Sequence, residues 1–267
     1  MEQAWLDRLQ EENLSLDDIE RSLRYAKDLT HGLATVKTYP QGVTVFGSAR
    51  LNSDNDFYKK AYELGKRLAQ KNHPVITGGG PGIMEAANRG AFEAGGRSIG
   101  LNIELETEQD LNHYTTDSTQ FNYFFARKVM LTFSAKLYVF FPGGFGTMDE
   151  FSEILELKHT AKIPPVPLFL YGSEFWQGLD DWFAGKMSEW RMIETGQPNE
   201  MNEVGTTAQA ADAGIVKSAR DLYKITDDLE EIIAAADAEP ERDVVEVMAD
   251  IAKRAKFPDL SREGKVF

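Results

Sequence analysis

The sequence predicts a doubly wound, Rossmann-like parallel α/β sheet carrying an N-terminal helical extension. Three observations point there. Short, nearly continuous apolar runs alternate with amphipathic stretches of a dozen or so residues, the pattern of βαβ units. The runs are apolar throughout rather than alternately polar, as in a sheet covered on both faces. Three of them end in glycine-bearing turns, at Gly47-Ser48, Gly78 to Gly82 and Gly143 to Gly146.

Residues 14 to 35 read as a helix. Ser15 with Asp18 makes a capping-box pattern, and Ile19, Leu23 and Ala26 recur at helical spacing. Val43 to Phe46 is a buried strand, and residues 57 to 71 are an amphipathic helix. His73 to Thr77 is the second strand, Ile83 to Ala94 a helix, and Ser98 to Asn102 the third strand. Residues 103 to 120 are polar and read as loop. A helix follows from about Asn122 to Ser134, then a strand over Lys136 to Phe141. Residues 148 to 160 are helical, with Phe151, Ile154, Leu155 and His159 along one stripe. Val166 to Leu170 is the fifth strand, and residues 173 to 190 form a helix holding three of the four tryptophans. A last strand, Leu222 to Ile225, precedes a helix over Thr226 to Ala236. Residues 196 to 214 read as a mobile loop, and one more helix with a frayed tail is expected after Pro240. The expected divisions are an N-terminal helical extension (1–39), a nucleotide-binding catalytic domain (40–236) and a C-terminal helix and tail (237–267).

Composition narrows the function classes. With 267 residues and 42% hydrophobic content the chain can bury a core of its own. Lysine and arginine total 29 against 43 acidic residues, a net charge of −14, which disfavours nucleic acid and anionic membranes as partners. There is no cysteine, so disulfides, thiolate catalysis and Cys-ligated zinc are excluded. The four histidines are scattered, and no metal site is expected. No signal peptide is evident, and the longest apolar run, Leu137 to Phe141, is too short to span a bilayer. A cytoplasmic location is expected.

Ligands of doubly wound sheets bind beyond the carboxyl ends of the strands. Glycines there let backbone N–H groups approach an anion, and the following helix adds its positive end. No Walker loop and no GxGxxG fingerprint occurs, so NAD-dependent redox chemistry is not indicated. The helix from Asn122 runs antiparallel to the strands, so Arg127 near its start shares an edge with the 142–147 loop and Glu150. An arginine, a glycine-rich anion cradle and a carboxylate suit cleavage of an N-glycosidic bond in a nucleotide. Set against this, Glu150 can simply complement a helix dipole and Arg127 pair with some carboxylate. Arg50 can touch phosphate, and Glu108 and Asn112 can reach ribose hydroxyls, although solvent exposure is the simpler expectation. Tyr123, Phe124 and Phe125 are more often core than a stacking platform, and Trp176, Trp182 and Trp190 read as core or interface.

Gly78-Gly-Gly-Pro-Gly-Ile-Met-Glu-Ala-Ala87, Phe125-Ala-Arg-Lys128 and Pro142-Gly-Gly-Phe-Gly-Thr-Met-Asp-Glu150 resemble the motifs of the LONELY GUY family. The resemblance covers roughly residues 40 to 235, with three motifs in the family's order. It implies a 5′-phosphoribohydrolase that splits AMP or N6-modified AMP into free base and ribose 5-phosphate, without cofactor, as a homodimer or larger homo-oligomer. It implies Arg127 and Glu150 as the catalytic pair. Gly143, Gly144, Phe145, Gly146 and Thr147 would bind the phosphate, with Lys128 beside Arg127. The Gly47-Ser48 and Gly79-Gly80 turns complete the substrate-binding set, and Glu108 matches an acid that contacts substrate. One departure is Glu156, where the family often has threonine. Two rival expectations are a non-catalytic nucleotide or molybdenum-cofactor carrier on the same fold, and the family's old lysine decarboxylase label.

Overall fold

The computed structural model describes residues 15–39, 42–104, 111–133, 135–189 and 219–240. In chain order the elements are α1 (Leu16–Thr38), β1 (Gly42–Phe46), α2 (Asp56–Gln70), β2 (Val75–Thr77), α3 (Ile83–Glu93), β3 (Ser98–Ile103) and β4 (Asp117–Phe121). Then follow α4 (Phe124–Phe133), β5 (Ala135–Phe140), α5 (Phe145–His159), β6 (Leu168–Tyr171), α6 (Ser173–Trp182), β7 (Lys224–Thr226) and α7 (Leu229–Ala238). A π-helical turn, Phe183–Met187, continues α6. The strands form one parallel seven-stranded sheet in the order β4-β3-β2-β1-β5-β6-β7. The Rossmann-like α/β class expected from the sequence is the architecture found.

Alternation along the strands splits the core in two. Val43, Val45, Leu137 and Val139 face Leu64 and Leu68 of α2, Ile83 and Ala87 of α3, and Ile232 of α7. Phe46, Ile76, Ile99 and Phe140 face Met130 of α4, Phe151 of α5, Trp176 of α6 and Val36 of α1. Burial on both faces is why these strands read as unbroken apolar runs. The order of the strands reverses between β1 and β5, and the crevice beyond their carboxyl ends is where such sheets take ligands.

Four expectations change. Residues 117–121 are not loop but the edge strand β4, whose partly exposed, polar face hides the strand signal. The capping box of Ser15 and Asp18 is present, but the buried face of α1 is Asp28, Gly32 and Val36; Leu23 is 60% exposed. Gly32 lets α1 lie against Met130 and Phe121, where a β-carbon would collide. On α5 the buried stripe ends on Lys158 rather than His159, because the amine is satisfied by the carbonyls of Val166 (2.7 Å) and Leu222 (2.6 Å). Phe124 and Phe125 are exposed, not core, and of the tryptophans Trp176 is buried while Trp182 is half exposed. Residues 196–214, Trp190 and the segment after Pro240 lie outside the described residues. Among the described residues no helix is long and apolar enough to cross a membrane.

Helices α2 and α3 touch backbone to backbone. A β-carbon on Gly65 would overlap the carbonyl of Ala87, and one on Gly90 that of Tyr62. Alanine gains about 1 kcal/mol over glycine as a helix former, but overpacking against a rigid backbone costs about 1–3 kcal/mol. Gly65→Ala is therefore expected to lower the urea midpoint; a raised midpoint would show that the helices part freely.

Candidate active site

Three loops meet where the strand order reverses. The backbone N–H of Ser48, after β1, donates to the carbonyl of Pro142, after β5, at 3.0 Å. The N–H of Ile83, opening α3, donates to the carbonyl of Ser48, also at 3.0 Å. Gly47 lies so close to Ile83 that any β-carbon there would collide with it. The β1, β2 and β5 exits are thus tied into one rim.

The two longer glycine loops have different jobs. Gly79 and Gly80 are buried, and Asn112 Nδ2 donates to both of their carbonyls at 3.1 Å. The N–H of Gly79 donates to Thr77 Oγ1 at 2.9 Å, and Thr77 donates to Asn88 Oδ1. Asn88 Oδ1 also accepts from Asn112 (3.0 Å), while its Nδ2 donates to Ser98 Oγ and the carbonyl of Ile99. Every polar atom of the Asn88 amide is used, so this loop is a rigid floor. Asn112, considered for ribose contact, is spent in that floor; no local sequence signal marks Thr77 and Asn88 as its partners.

The loop after β5 is open. α5 begins at Phe145 with Gly144 as N-cap and no side chain closing the cap, three residues earlier than the apolar spacing predicts. Among the described residues nothing lies within 4 Å of a β-carbon placed on Gly144 or Gly146. Gly143 differs, since its β-carbon would overlap the buried side chain of Thr147. Phe145 is 96% exposed at the tip. A helix start with free N–H groups and room above it is a ready anion site.

Arg127, in the first turns of α4, is buried beside this rim. Its Nε donates to the carbonyl of Leu101 at 2.8 Å, and an Nη donates to that of Gly78 at 3.5 Å. A β-carbon on Gly78 would occupy the guanidinium's place. Burial pushes the guanidinium below its usual range, and the charge of Glu150 pulls it back up. Glu150 stands in the second turn of α5, partly buried. Burial pushes its carboxyl from 4.5 up to about 7; Arg127 and Lys128 work against the rise, Asp149 and Glu153 with it. The pair interact through space without an ion-pair contact among the described residues.

Lys128 points elsewhere. Its amine bridges Asp149 (2.9 Å) and Glu153 (2.7 Å) on α5. Burial works against the charge of Lys128, but the two acids outweigh it and its pKa is raised. Phe46, Lys128, Leu131, Glu150 and Ile154 line a narrow crevice between α4 and α5. Arg50 is exposed, with its N–H on Ser48 Oγ at 3.1 Å, and Glu156 is exposed away from the crevice. Glu108 lies outside the described residues.

Residues 84–214 match the family model described as Possible lysine decarboxylase. The chain is 32% identical over 121 residues to an uncharacterized protein of Archaeoglobus fulgidus, covering 45% of this chain and 78% of that one. It is 25% identical over 149 residues to a cytokinin riboside 5′-monophosphate phosphoribohydrolase of Rhodococcoides fascians, 55% of this chain and 75% of that one. Among solved structures it is similar to the molybdenum cofactor binding protein of Rippkaea orientalis, with TM-score 0.49, 18% identity, 74% of this chain and 96% of that chain covered. The motifs at Gly78, Arg127 and Pro142, the matched family model and the similarity to the Rhodococcoides phosphoribohydrolase together make the chain a member of the LONELY GUY family, whose model carries the lysine decarboxylase description.

Proposed function

We propose that the chain hydrolyses the N-glycosidic bond of a purine nucleoside 5′-monophosphate, AMP or an N6-modified AMP, to free base and ribose 5-phosphate. The observation that carries this reading is the pairing of a buried, carbonyl-anchored Arg127 with Glu150, titrating near 7, beside the uncapped start of α5. The similarity to the Rhodococcoides cytokinin riboside 5′-monophosphate phosphoribohydrolase supports it.

In this reading the phosphate sits on the N–H groups that open α5, with Gly144 and Gly146 leaving space for it. Departure of the base leaves positive charge on the ribose ring, and the Glu150 carboxylate stabilises that charge or takes a proton from water. Water oxygen bonds to the anomeric carbon as the bond to the base nitrogen breaks, and the base leaves with a proton. The homodimer belongs to the same proposal, and sedimentation velocity tests it.

The decarboxylase description implies pyridoxal phosphate, which needs a free, aldehyde-reactive lysine amine. Neither Lys128 nor Lys158 fits. Lys128 is held charged by two carboxylates. The amine of Lys158, pushed by burial down to about 8, is bound to two carbonyls at the far end of α5 from the glycine loops.

A nucleotide panel read out by free base tests the proposal; release from no purine monophosphate would sink it, and nucleotide-induced thermal stabilisation without turnover would favour a carrier. Arg127→Ala and Glu150→Gln should each lower kcat by at least about 100-fold while the fold survives. If both variants turn over like the parent, the pair has no part in the chemistry. Because the carboxylate is the working form, kcat/KM should rise with pH and level off above about 7.

The same carboxyl gives a stability prediction. Its pKa is 4.5 unfolded and about 7 folded. A group raised on folding favours the fold fully below pH 4.5, and that contribution drains away as pH climbs through 7. Glu150→Gln should therefore be more stable than the parent at pH 8, by up to about 3 kcal/mol, and lose that advantage near pH 4. Thermal melts of both proteins across that range check it; a constant difference would mean the carboxyl titrates normally.

A further inference from the structure

The N-terminal helix sends a carboxylate to the base of α4. Asp28 is 4% exposed. Its Oδ2 accepts the backbone N–H of Asn122 at 2.7 Å and of Tyr123 at 3.1 Å, and its Oδ1 accepts Nδ2 of Asn122 at 2.8 Å. Among the described residues it has no ion-pair partner. Burying an unpaired carboxylate is expensive unless donors surround it, and here three do. Asn122 and Tyr123 immediately precede α4, which starts at Phe124. Asp28 therefore supplies from another helix the negative cap that a helix start prefers.

That cap is one residue removed from the site. The carbonyl of Tyr123 accepts the N–H of Arg127 at 3.3 Å. The residue whose N–H is fixed by Asp28 thus holds, through its carbonyl, the backbone of the buried arginine. Aromatic packing of Tyr25 on Tyr123 (centroids 4.5 Å apart) and on Phe125 (5.1 Å) keeps α1 aligned over the same turn.

We infer that Asp28 is a positioning residue: it fixes the first turn of α4 so that Arg127 reaches the carbonyls of Leu101 and Gly78 and faces Glu150. The inference rests on the reading of Arg127 and Glu150 as the working pair, although its placement of the arginine is measurable without turnover.

The test is Asp28→Asn in the full-length protein, with Ser15→Ala as comparison. The asparagine keeps the shape but turns an amide toward donors. Ser15→Ala removes the cap of α1 far from α4. The first readout is the titration of the Glu150 carboxyl carbon by NMR. Glu150 is faced by Arg127 and Lys128, which lower its midpoint, and by Asp149 and Glu153, which raise it. If Arg127 is displaced, its lowering effect weakens. Asp28→Asn should then move the midpoint upward by about half a unit or more, with no shift in Ser15→Ala. The second readout is turnover, where kcat should fall about 10- to 100-fold with a smaller change in KM. A parent-like Glu150 midpoint in a folded Asp28→Asn overturns the inference even if no nucleotide is hydrolysed; absence of turnover with a shifted midpoint overturns the proposed activity alone. Should Asp28→Asn not fold, Asn122→Ala, which removes one of the three donors, should give a smaller shift in the same direction; no shift there overturns the inference equally.

Discussion

The structure turns on one buried cation. A guanidinium inside a protein is tolerated only where fixed acceptors replace water. For Arg127 those acceptors are main-chain carbonyls of β3 and of the turn after β2, with Nε on Leu101 at 2.8 Å. They are available because β2 and β3 pair in parallel, with Thr77 opposite Gly100, which brings Gly78 and Leu101 side by side. They are reachable because residue 78 has no β-carbon. The register of two strands, one glycine and the start of α4 thus converge on one side chain. Its charge in turn restrains the upward shift of the Glu150 carboxyl.

Composition alone does not distinguish the glycine loops, but their surroundings do. Behind Gly79 and Gly80 stands a closed network through Asn112, Asn88 and Thr77, so their carbonyls are taken and the loop supports the site from below. Among the described residues nothing fills the space above Gly144 and Gly146, and none caps the helix they begin with its side chain. Both α3 and α5 start without a side-chain cap, but the first N–H of α3 already donates to the carbonyl of Ser48, whereas the start of α5 has room above it.

Much of this was legible beforehand because it is local. Short apolar runs closed by glycine-bearing turns identify β1, β2 and β5. The topology they imply puts Arg127 and Glu150 on one edge with no contact map. What escaped was set by long-range partners. β4 has polar side chains because it is an edge strand, so its apolar periodicity fails. Asp28 and Lys158 are charged residues in buried stripes, where only distant N–H or carbonyl groups make burial tolerable. Leu23 shares the helical spacing of Ile19 and Ala26 yet is exposed, because helical spacing says which residues share a face, not whether anything covers it.

The charges at the start of α5 divide by type. Asp149, Glu150 and Glu153 lie within a few residues of one another, against Arg127 and Lys128 from α4. Lysine, a flexible point charge, takes the two flanking acids by direct contact. Arginine, planar and anchored by its own hydrogen bonds, stays out of contact and acts on Glu150 through space. Were Lys128 absent, the two flanking carboxylates would push the Glu150 carboxyl further up, and at neutral pH it would hold its proton. With Lys128 in place the cluster is close to balanced, so the side chains offer a bound phosphate little net positive charge. The attraction must then come from main-chain N–H groups, which do not titrate near neutral pH. A loop of glycines at the head of an uncapped helix meets that requirement, and it is the feature the sequence displays at Gly143, Gly144 and Gly146.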